Sequence, residues 1–323
     1  MQPSLPRRLA LTRTARLAGG LIGLATIPLL SACGGGDGDN TQLTVAEQIR
    51  FDSRYSILNE ALVASGLNAT LSGGGPFTLF APTDAAFAAL LAELGLTQAQ
   101  LLGNVPLLTA VLTYHVLPAR VLRAAVPLGK AVTTVQGGVF KVEASGSDLV
   151  ITDGRNRIAR IAATDMVASN GVIHTVERVL LPANRNIVET AVAAAPEFSI
   201  LVEAVVAANL QGALSGAGPL TVFAPTNAAF AALLAELGLT KAQLLANTAL
   251  LTRVLTYHVV PGRVLKADIV PGQAVTTLQG QTFTVGADLF ITDSRTRRSA
   301  IAGTDLFTSN GVIHTLGRVL LPT

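Results

Sequence analysis

The spacing of apolar positions predicts helices first and strands later in the first half of the chain. Apolar residues recur at helical intervals over residues 56–64. Residues 77–80 form a short β-type run, after which Thr83 stands at the N-cap position of a predicted helix that has Asp84 in its first turn and continues over 85–94. Short β-branched runs bounded by Gly, Asn and Asp then lie near Val132, Val139, Leu149, Ile158 and Val172. This order favours an α+β fold over regular alternation of strands and helices.

The same pattern occurs twice, because three motifs return later in the chain. At offsets of 143, 143 and 140 positions, the repeated motifs are FAPTDAAF and FAPTNAAF (80–87 and 223–230), Tyr-His (114–115 and 257–258) and NGVIH (170–174 and 310–314). A period of about 140 residues is the size of a domain and is far longer than a solenoid repeat. The sequence therefore predicts two tandem domains, 43–182 and 186–322. Only three residues separate them, so we expect restricted motion between them.

The first 32 residues predict an export signal. They combine four arginines with an apolar stretch over 17–30 and contain no acidic residue. Residues 30–33 (LSAC) resemble the cleavage signal of bacterial lipoproteins, in which Cys33 would carry the lipid and begin the mature chain. Residues 33–42 are glycine-rich and polar, which is typical of a flexible tether. We expect an exported protein whose membrane contact is a lipid anchor at Cys33, on the periplasmic or the exposed side of the bacterial cell envelope. An ordinary signal peptide that happens to contain a cysteine is the alternative.

Composition narrows the class of function. The 323 residues are 50% hydrophobic and 13% charged, which is typical of folded domains and not of disordered chains. Taking the four export arginines from the 23 basic residues leaves 19 against 20 acidic ones, so the formal net charge changes from +3 to −1. The mature chain therefore has no charge surplus that would attract nucleic acid, and it has no Trp for base stacking. Its single cysteine excludes a disulfide framework and a cysteine-based zinc site, and we expect neither metal nor cofactor.

The three motifs together resemble the fasciclin (FAS1) domain. Both copies carry the motifs in order, and the resemblance covers residues 43–322. It implies two tandem domains, each a β-sandwich-like wedge packed with several α-helices. It also implies a non-catalytic role in adhesion, with an unknown surface protein or polysaccharide as the partner.

The resemblance further implies a partner-binding surface. In animal members, the Tyr-His pair and an Asp-Ile pair that precedes the NGVIH motif are implicated in integrin binding. The matching positions here are Tyr114, His115, Asp165, Met166, Tyr257, His258, Asp305 and Leu306. Met166 and Leu306 replace the Ile of the family pattern. A bacterial lipoprotein need not meet integrins, so we expect this surface to bind a partner but do not expect that partner to be an integrin.

The same residues also allow structural interpretations. Each Tyr-His pair ends an apolar helical stretch, which predicts one ring in the core and the other holding a turn by a hydrogen bond. His174 and His314 share strand faces with apolar residues, which predicts buried, hydrogen-bonded imidazoles. Asn170-Gly171 predicts a type I′ hairpin turn.

Two arginine groups form a predicted contact for an acidic partner. They are Arg155, Arg157 and Arg160 in the first copy and Arg295, Arg297 and Arg298 in the second. Each group lies in or beside a predicted turn, so a merely solvated face is the alternative interpretation.

Catalytic motifs are absent from the sequence. It contains no Gly-x-Ser-x-Gly elbow, phosphate-binding glycine loop or His-Glu-x-x-His, so we do not expect an enzyme, and a hydrolase with an unrecognised site is the weakest hypothesis. The main alternative to adhesion is a periplasm-facing lipoprotein that holds a small apolar ligand between the domains, which the high aliphatic content permits.

Overall fold

Two domains with the same order of elements follow one another in the computed structural model, which describes residues 42–323. In the first domain the helices are α1 (Val45–Phe51), α2 (Ser56–Ala64), α3 (Leu67–Ser72), α4 (Asp84–Leu94), α5 (Gln98–Gly103) and α6 (Val105–Tyr114). The strands are β1 (Phe77–Pro82), β2 (Val116–Leu117), β3 (Ala131–Thr133), β4 (Val139–Ser145), β5 (Asp148–Thr152), β6 (Ile158–Ala168) and β7 (Gly171–Val176). The predicted helix-first order and the predicted strands are confirmed, whereas the export signal and Cys33 lie outside the described residues.

The second domain repeats this plan. Its helices are α7 (Ile187–Ala193), α8 (Ala195–Ala207), α9 (Gln211–Ser215), α10 (Asn227–Leu237), α11 (Lys241–Ala246) and α12 (Thr248–Tyr257). Its strands are β8 (Leu220–Pro225), β9 (Val259–Pro261), β10 (Ala274–Thr276), β11 (Thr282–Val285), β12 (Phe290–Thr292), β13 (Arg298–Thr308) and β14 (Gly311–Leu316). No helix within residues 42–323 is long and apolar enough to cross a membrane.

Threonine caps set the starts of several helices. The Thr83 side chain accepts a hydrogen bond from the Ala86 N–H at the start of α4, as predicted, and Gly95 ends that helix in the left-handed conformation. Thr97 and Gln100 form a capping box at the start of α5. The starts of α4 and α5 are therefore fixed locally by their own sequence.

Each domain contains one seven-stranded sheet with a single parallel pair. The strand order is β2-β1-β7-β6-β5-β4-β3 in the first domain and β10-β11-β12-β13-β14-β8-β9 in the second. The parallel pairs are β1 with β7 and β14 with β8, and they join the first and third repeated motifs of each copy. The chain is thus α+β with two tandem domains, as predicted.

Alternation along β1 divides each domain into two cores. Leu79 faces the helices, whereas its neighbour Phe80 lies in the opposite core, which the bent sheet encloses. There Phe80 meets the ring of Phe140 edge to face, with centroids 5.1 Å apart. Among the described residues, every buried core residue lies between Val45 and Leu321, and Thr41–Thr323 form one compact unit. The described cores of both domains are therefore built within this unit.

The predicted turn at Asn170-Gly171 is wrong by one residue. The turn consists of residues 169–170, and Gly171 is already the first residue of β7. Neither Asn170 nor Gly171 has a positive φ. Gly171 is instead required by crowding, because a Cβ there would lie 2.4 Å from the Phe77 carbonyl oxygen. The local sequence misleads because the crowding comes from β1, about 90 residues away.

Three kinds of contact join the two domains. Phe307 of β13 packs with Val139 of β4 in a small buried cluster. The Asn156 side chain accepts from the Phe307 N–H at 2.7 Å and donates to the Phe307 carbonyl oxygen at 3.1 Å, as a neighbouring strand would. Lys141 Nζ lies 3.0 Å from Asp305 Oδ2, and both side chains are buried. These contacts oppose independent motion of the domains.

Candidate functional site

The Tyr-His pair of the first copy is buried in the core. The Tyr114 hydroxyl donates to the Val139 carbonyl oxygen at 2.6 Å. His115 lies between the end of α6 and the final segment of the domain: its Nδ1 is 2.7 Å from the Val111 oxygen, and its Nε2 accepts from the Leu180 N–H at 2.9 Å. Because Nε2 is an acceptor, the proton sits on Nδ1. The pair therefore links a helix, a strand and the final segment of the first domain.

The second copy repeats this arrangement. The Tyr257 hydroxyl donates to the Thr282 oxygen, and His258 spans from Val254 to the Leu320 N–H. Burial lowers the pKa of His115 and of His258 to about 4, so both imidazoles are neutral at pH 7. The predicted structural role is confirmed. Partner binding by these four residues stays a prediction, and such binding would use the surface that they support from beneath.

Asp165 occupies a bulge in β6, where the pairing with β7 shifts register. Its φ is +62°, its N–H donates to His174 Nδ1 at 3.2 Å, and its Oδ1 accepts from the Arg123 N–H at 2.8 Å. Its side chain lies at the surface, whereas the neighbouring Met166 is half-buried against the helical core. His174 is buried and its Nε2 bonds the Val121 oxygen, as predicted.

The equivalent residue of the second copy has a different environment. Asp305 has the same φ, +61°, and accepts from the Lys266 N–H, but it is only 4% exposed because Lys141 of the first domain covers it. Leu306 packs against the helical core of its domain. Of the two Asp positions, only Asp165 presents its carboxylate to solvent.

Four of the six predicted arginines are paired with carboxylates. The pairs are Arg157 with Asp153 and Glu93, Arg160 with Asp148 and Glu177, Arg297 with Glu236, and Arg298 with Asp288. Among the described residues, Arg155 and Arg295 have no carboxylate partner. The two predicted arginine groups thus reduce to one free cation in each domain.

Arg155 borders a polar cavity of about 300 Å³ at the domain junction, which we call the junction cleft. Its lining includes Arg155, Asn156, Arg185 of the linker and Phe307. Burial, and then the charge of Arg157, lower the pKa of Arg155. Its Nε is buried without a hydrogen-bond partner among the described residues. A buried donor in this state is satisfied by water or by an anion.

The second domain offers an internal comparison for Arg155. The Nε of the equivalent Arg295 donates to the Pro322 carbonyl oxygen at 2.9 Å. In the first domain the chain continues after Pro182 into the linker, and the Arg155 Nε forms no such bond. The free donor therefore belongs to the junction and not to the domain fold.

A second cavity, of about 290 Å³, also lies at the junction. Arg263 and Phe307 are among its lining residues, and the buried Arg263 Nε again lacks a partner within residues 42–323. Sequence reasoning missed Arg185 and Arg263, because each stands alone in the sequence and only the packing of the domains brings it to a cavity. The walls of both cavities are largely polar, which gives no support to an apolar ligand between the domains.

Groups for metal binding do not converge in the described part of the chain. Within residues 42–323, no three His, Cys, Asp or Glu side chains are close enough to hold a metal ion.

Comparison with known proteins gives the same division into two tandem domains as the repeated motifs. Residues 53–182 and 196–322 match the fasciclin domain. The transforming growth factor-beta-induced protein ig-h3 of Sus scrofa is 31% identical over 259 residues, which cover 79% of this chain and 36% of that protein. Protein sll1483 of Synechocystis is 45% identical over 128 residues, or 39% of this chain and 67% of that one.

A solved structure of a FAS1 domain pair from the insect cell adhesion molecule fasciclin I is also similar. It matches 85% of this chain and 95% of its own, with a TM-score of 0.42 and 17% identity. The chain spans only 30–38% of the length of the ig-h3 proteins and the human periostin that it resembles.

Proposed function

This chain belongs to the fasciclin domain family, and from that premise we propose that it is a non-catalytic adhesion protein, held at the bacterial cell envelope by a lipid on Cys33. Fasciclin domains are linked to cell adhesion in related proteins, which are secreted or extracellular. The Tyr-His motif residues are buried within the two domains. A partner would therefore contact residues at the surface and at the junction between the domains.

The observation that carries the proposed contact is the junction cleft. Arg155 and Arg185 line it, and neither forms an ion pair with a described carboxylate. A guanidinium group binds a carboxylate, sulfate or phosphate group through paired N–H donors, and it does so more strongly when it is partly removed from water. We therefore infer that an acidic group of a surface protein or polysaccharide occupies the cleft.

Binding of residues 41–323 to isolated native envelope tests this contact. We expect the double variant Arg155→Glu/Arg185→Glu to lose most of the binding, and we expect rising salt to weaken binding of the unchanged protein. Lys241→Glu is the matched control, because Lys241 is an exposed cation of the second domain, away from the junction cleft. Binding that is insensitive both to salt and to the double variant would make the cleft a solvated surface only.

The anchor has a separate test. We expect cells that produce the full chain to attach labelled fatty acid to it and to retain it in the membrane fraction. We expect the Cys33→Ser variant to carry no label and to appear in the soluble fraction. If the variant is labelled and retained like the unchanged chain, the proposed anchor is wrong.

A further inference from the structure

An apolar cavity lies within the second domain and shares no lining residue with the junction cavities. Its volume is about 140 Å³. Its wall is formed by α10, α11 and α12, with Phe230, Leu233, Leu244 and Leu251 among the contributors. A cavity of about 150 Å³ with such a lining holds one benzene molecule. This cavity therefore accommodates a ring or a chain of about six carbons.

Two arginines border this apolar wall. Arg253 of α12 is exposed and forms no ion pair with a described carboxylate. Arg295 donates through Nε to the Pro322 oxygen, so the far end of its guanidinium group is left without a described partner. Glu236 is the carboxylate whose pKa Arg295 helps to lower, but Arg297 and Arg318 already hold it at 3.1 and 2.9 Å. The site therefore combines an apolar interior with a surplus of positive charge.

The first domain shows that Arg253 is not needed for folding. The offset of 143 residues that relates the Tyr-His motifs places Ala110 at the position of Arg253 and Leu108 at that of Leu251. The first copy thus keeps the apolar helix face and forms the same fold without this cation. Arg253 adds charge beside an apolar cavity, where packing does not require it.

We propose that the second domain binds a small apolar carboxylate, with its hydrocarbon part in the cavity and its carboxylate held by Arg253 and Arg295. The apolar wall removes the hydrocarbon from water, and the two guanidinium groups supply charge-assisted hydrogen bonds to the head group. This activity goes beyond adhesion and does not depend on it. It also differs from an apolar ligand between the domains, both in its place and in its charge.

Titrations of residues 41–323 with three six-carbon probes test the proposal, and the methyl NMR signals of the leucines report the binding. We expect hexanoate to bind more tightly than 1-hexanol, and hexylammonium to bind most weakly, because only the carboxylate complements the two arginines. Equal affinity for all three probes, or no shift of the cavity leucines with hexanoate, would overturn the proposal.

Two variants separate the head-group contact from the cavity. We expect Arg253→Ala, which introduces the residue found in the first domain, to weaken hexanoate binding about tenfold or more and to leave 1-hexanol binding unchanged. Leu250→Trp places a larger side chain in the lining and should weaken both ligands. Lys241→Ala removes a cation that does not line the cavity and should change neither. Hexanoate affinity that is the same in Arg253→Ala and in the unchanged protein would refute the assignment.

Discussion

At the scale of single residues, the four histidines of the chain act as neutral, buried hydrogen-bonding groups. One ring nitrogen of each accepts from a backbone N–H, and the other bonds a carbonyl oxygen. Desolvation by burial lowers the pKa of all four, to about 4 for His115 and His258. Protonation would add a charge to the core and abolish the acceptor, so the folded state resists it.

This arrangement predicts that stability falls as the pH drops below about 6.5. The unfolded chain takes up protons at its histidines near pH 6.5 and the folded chain does not, so the stabilisation is complete above that pH and is lost as the pH falls towards 4. We expect the free energy of unfolding to decrease by more than about 1.4 kcal/mol per pH unit, the limit for one proton. Urea unfolding of residues 41–323 at pH 7, 6 and 5 measures this.

The matched variant is His115→Gln, which removes one titrating group. Its free energy of unfolding should depend less steeply on pH than that of the unchanged protein. A free energy of unfolding that is equal at pH 7 and pH 5 would contradict the assignment of neutral buried histidines. The carboxylates whose pKa is lowered change the free energy of unfolding only at lower pH, so they do not mask the effect of the histidines between pH 7 and pH 5.

Glycine at the start of β7 is a second requirement at this scale. We expect Gly171→Ala to destabilise the protein by about 1–3 kcal/mol, because its Cβ would overlap the Phe77 carbonyl oxygen. Gly103→Ala is the control: nothing lies within 4 Å of its Cβ position, and it ends a helix, where alanine is favoured. Thermal unfolding of both variants measures the difference. If the two variants are equally stable, crowding is not the reason for Gly171.

At the scale of elements, the exchange of Asp84 for Asn227 between the copies has a structural reason. Asp84 accepts from the Ser56 hydroxyl at 2.6 Å and from the Ile57 N–H at 2.9 Å, so it caps the start of α2 as well as standing in the first turn of α4. Asn227 makes the same contact with the Ile200 N–H of α8. The first residue of one helix thus positions another helix.

This double role predicts how the two copies tolerate substitution. We expect Asp84→Ala to cost about 1–2 kcal/mol of unfolding free energy, as the loss of a helix cap does. We expect Asp84→Asn to cost much less, because Asn227 already fills the role in the second domain. Equal losses in the two variants, measured by urea unfolding, would mean that charge and not the cap is what matters.

Elements were more predictable than their contacts. Helix and strand positions follow from local patterns, so α4 with its Thr83 cap and the strands near Val139 and Ile158 could be found in the sequence. The fold could be predicted from the repeated motifs. The two arginine groups could not be evaluated in this way, because Glu93 and Glu236, which pair with Arg157 and Arg297, lie about 60 residues away from them in the chain.

At the scale of the whole molecule, the two Asp positions of the family motif have different roles. Asp305 meets Lys141 across the domain junction, whereas Asp165 remains at the surface. Removal of Asp305 would leave the buried ammonium of Lys141 with Glu143 alone, at 3.2 Å. The junction therefore depends on Asp305, whereas the equivalent Asp165 of the first copy is available to a partner.

This difference predicts unequal effects of equivalent substitutions. We expect Asp305→Ala to cost at least about 2 kcal/mol and to divide a single thermal transition into two, because a buried charge loses its main partner. Asp165→Ala loses one hydrogen bond from the Arg123 N–H and should cost less than Asp305→Ala, because the strain of Ala at a positive φ is common to both variants. Scanning calorimetry of residues 41–323 compares them, and identical traces from the two variants would contradict a coupled junction.

Attachment of whole cells tests whether this chain is an envelope-anchored adhesion protein. The measurement compares the fraction of cells retained on a surface, and in aggregates, for the parent strain, a strain without the gene, and strains that carry the unchanged gene or the Cys33→Ser gene. We expect deletion to lower attachment, the unchanged gene to restore it, and the Cys33→Ser gene not to restore it. Attachment and aggregation that are the same in all four strains would contradict it.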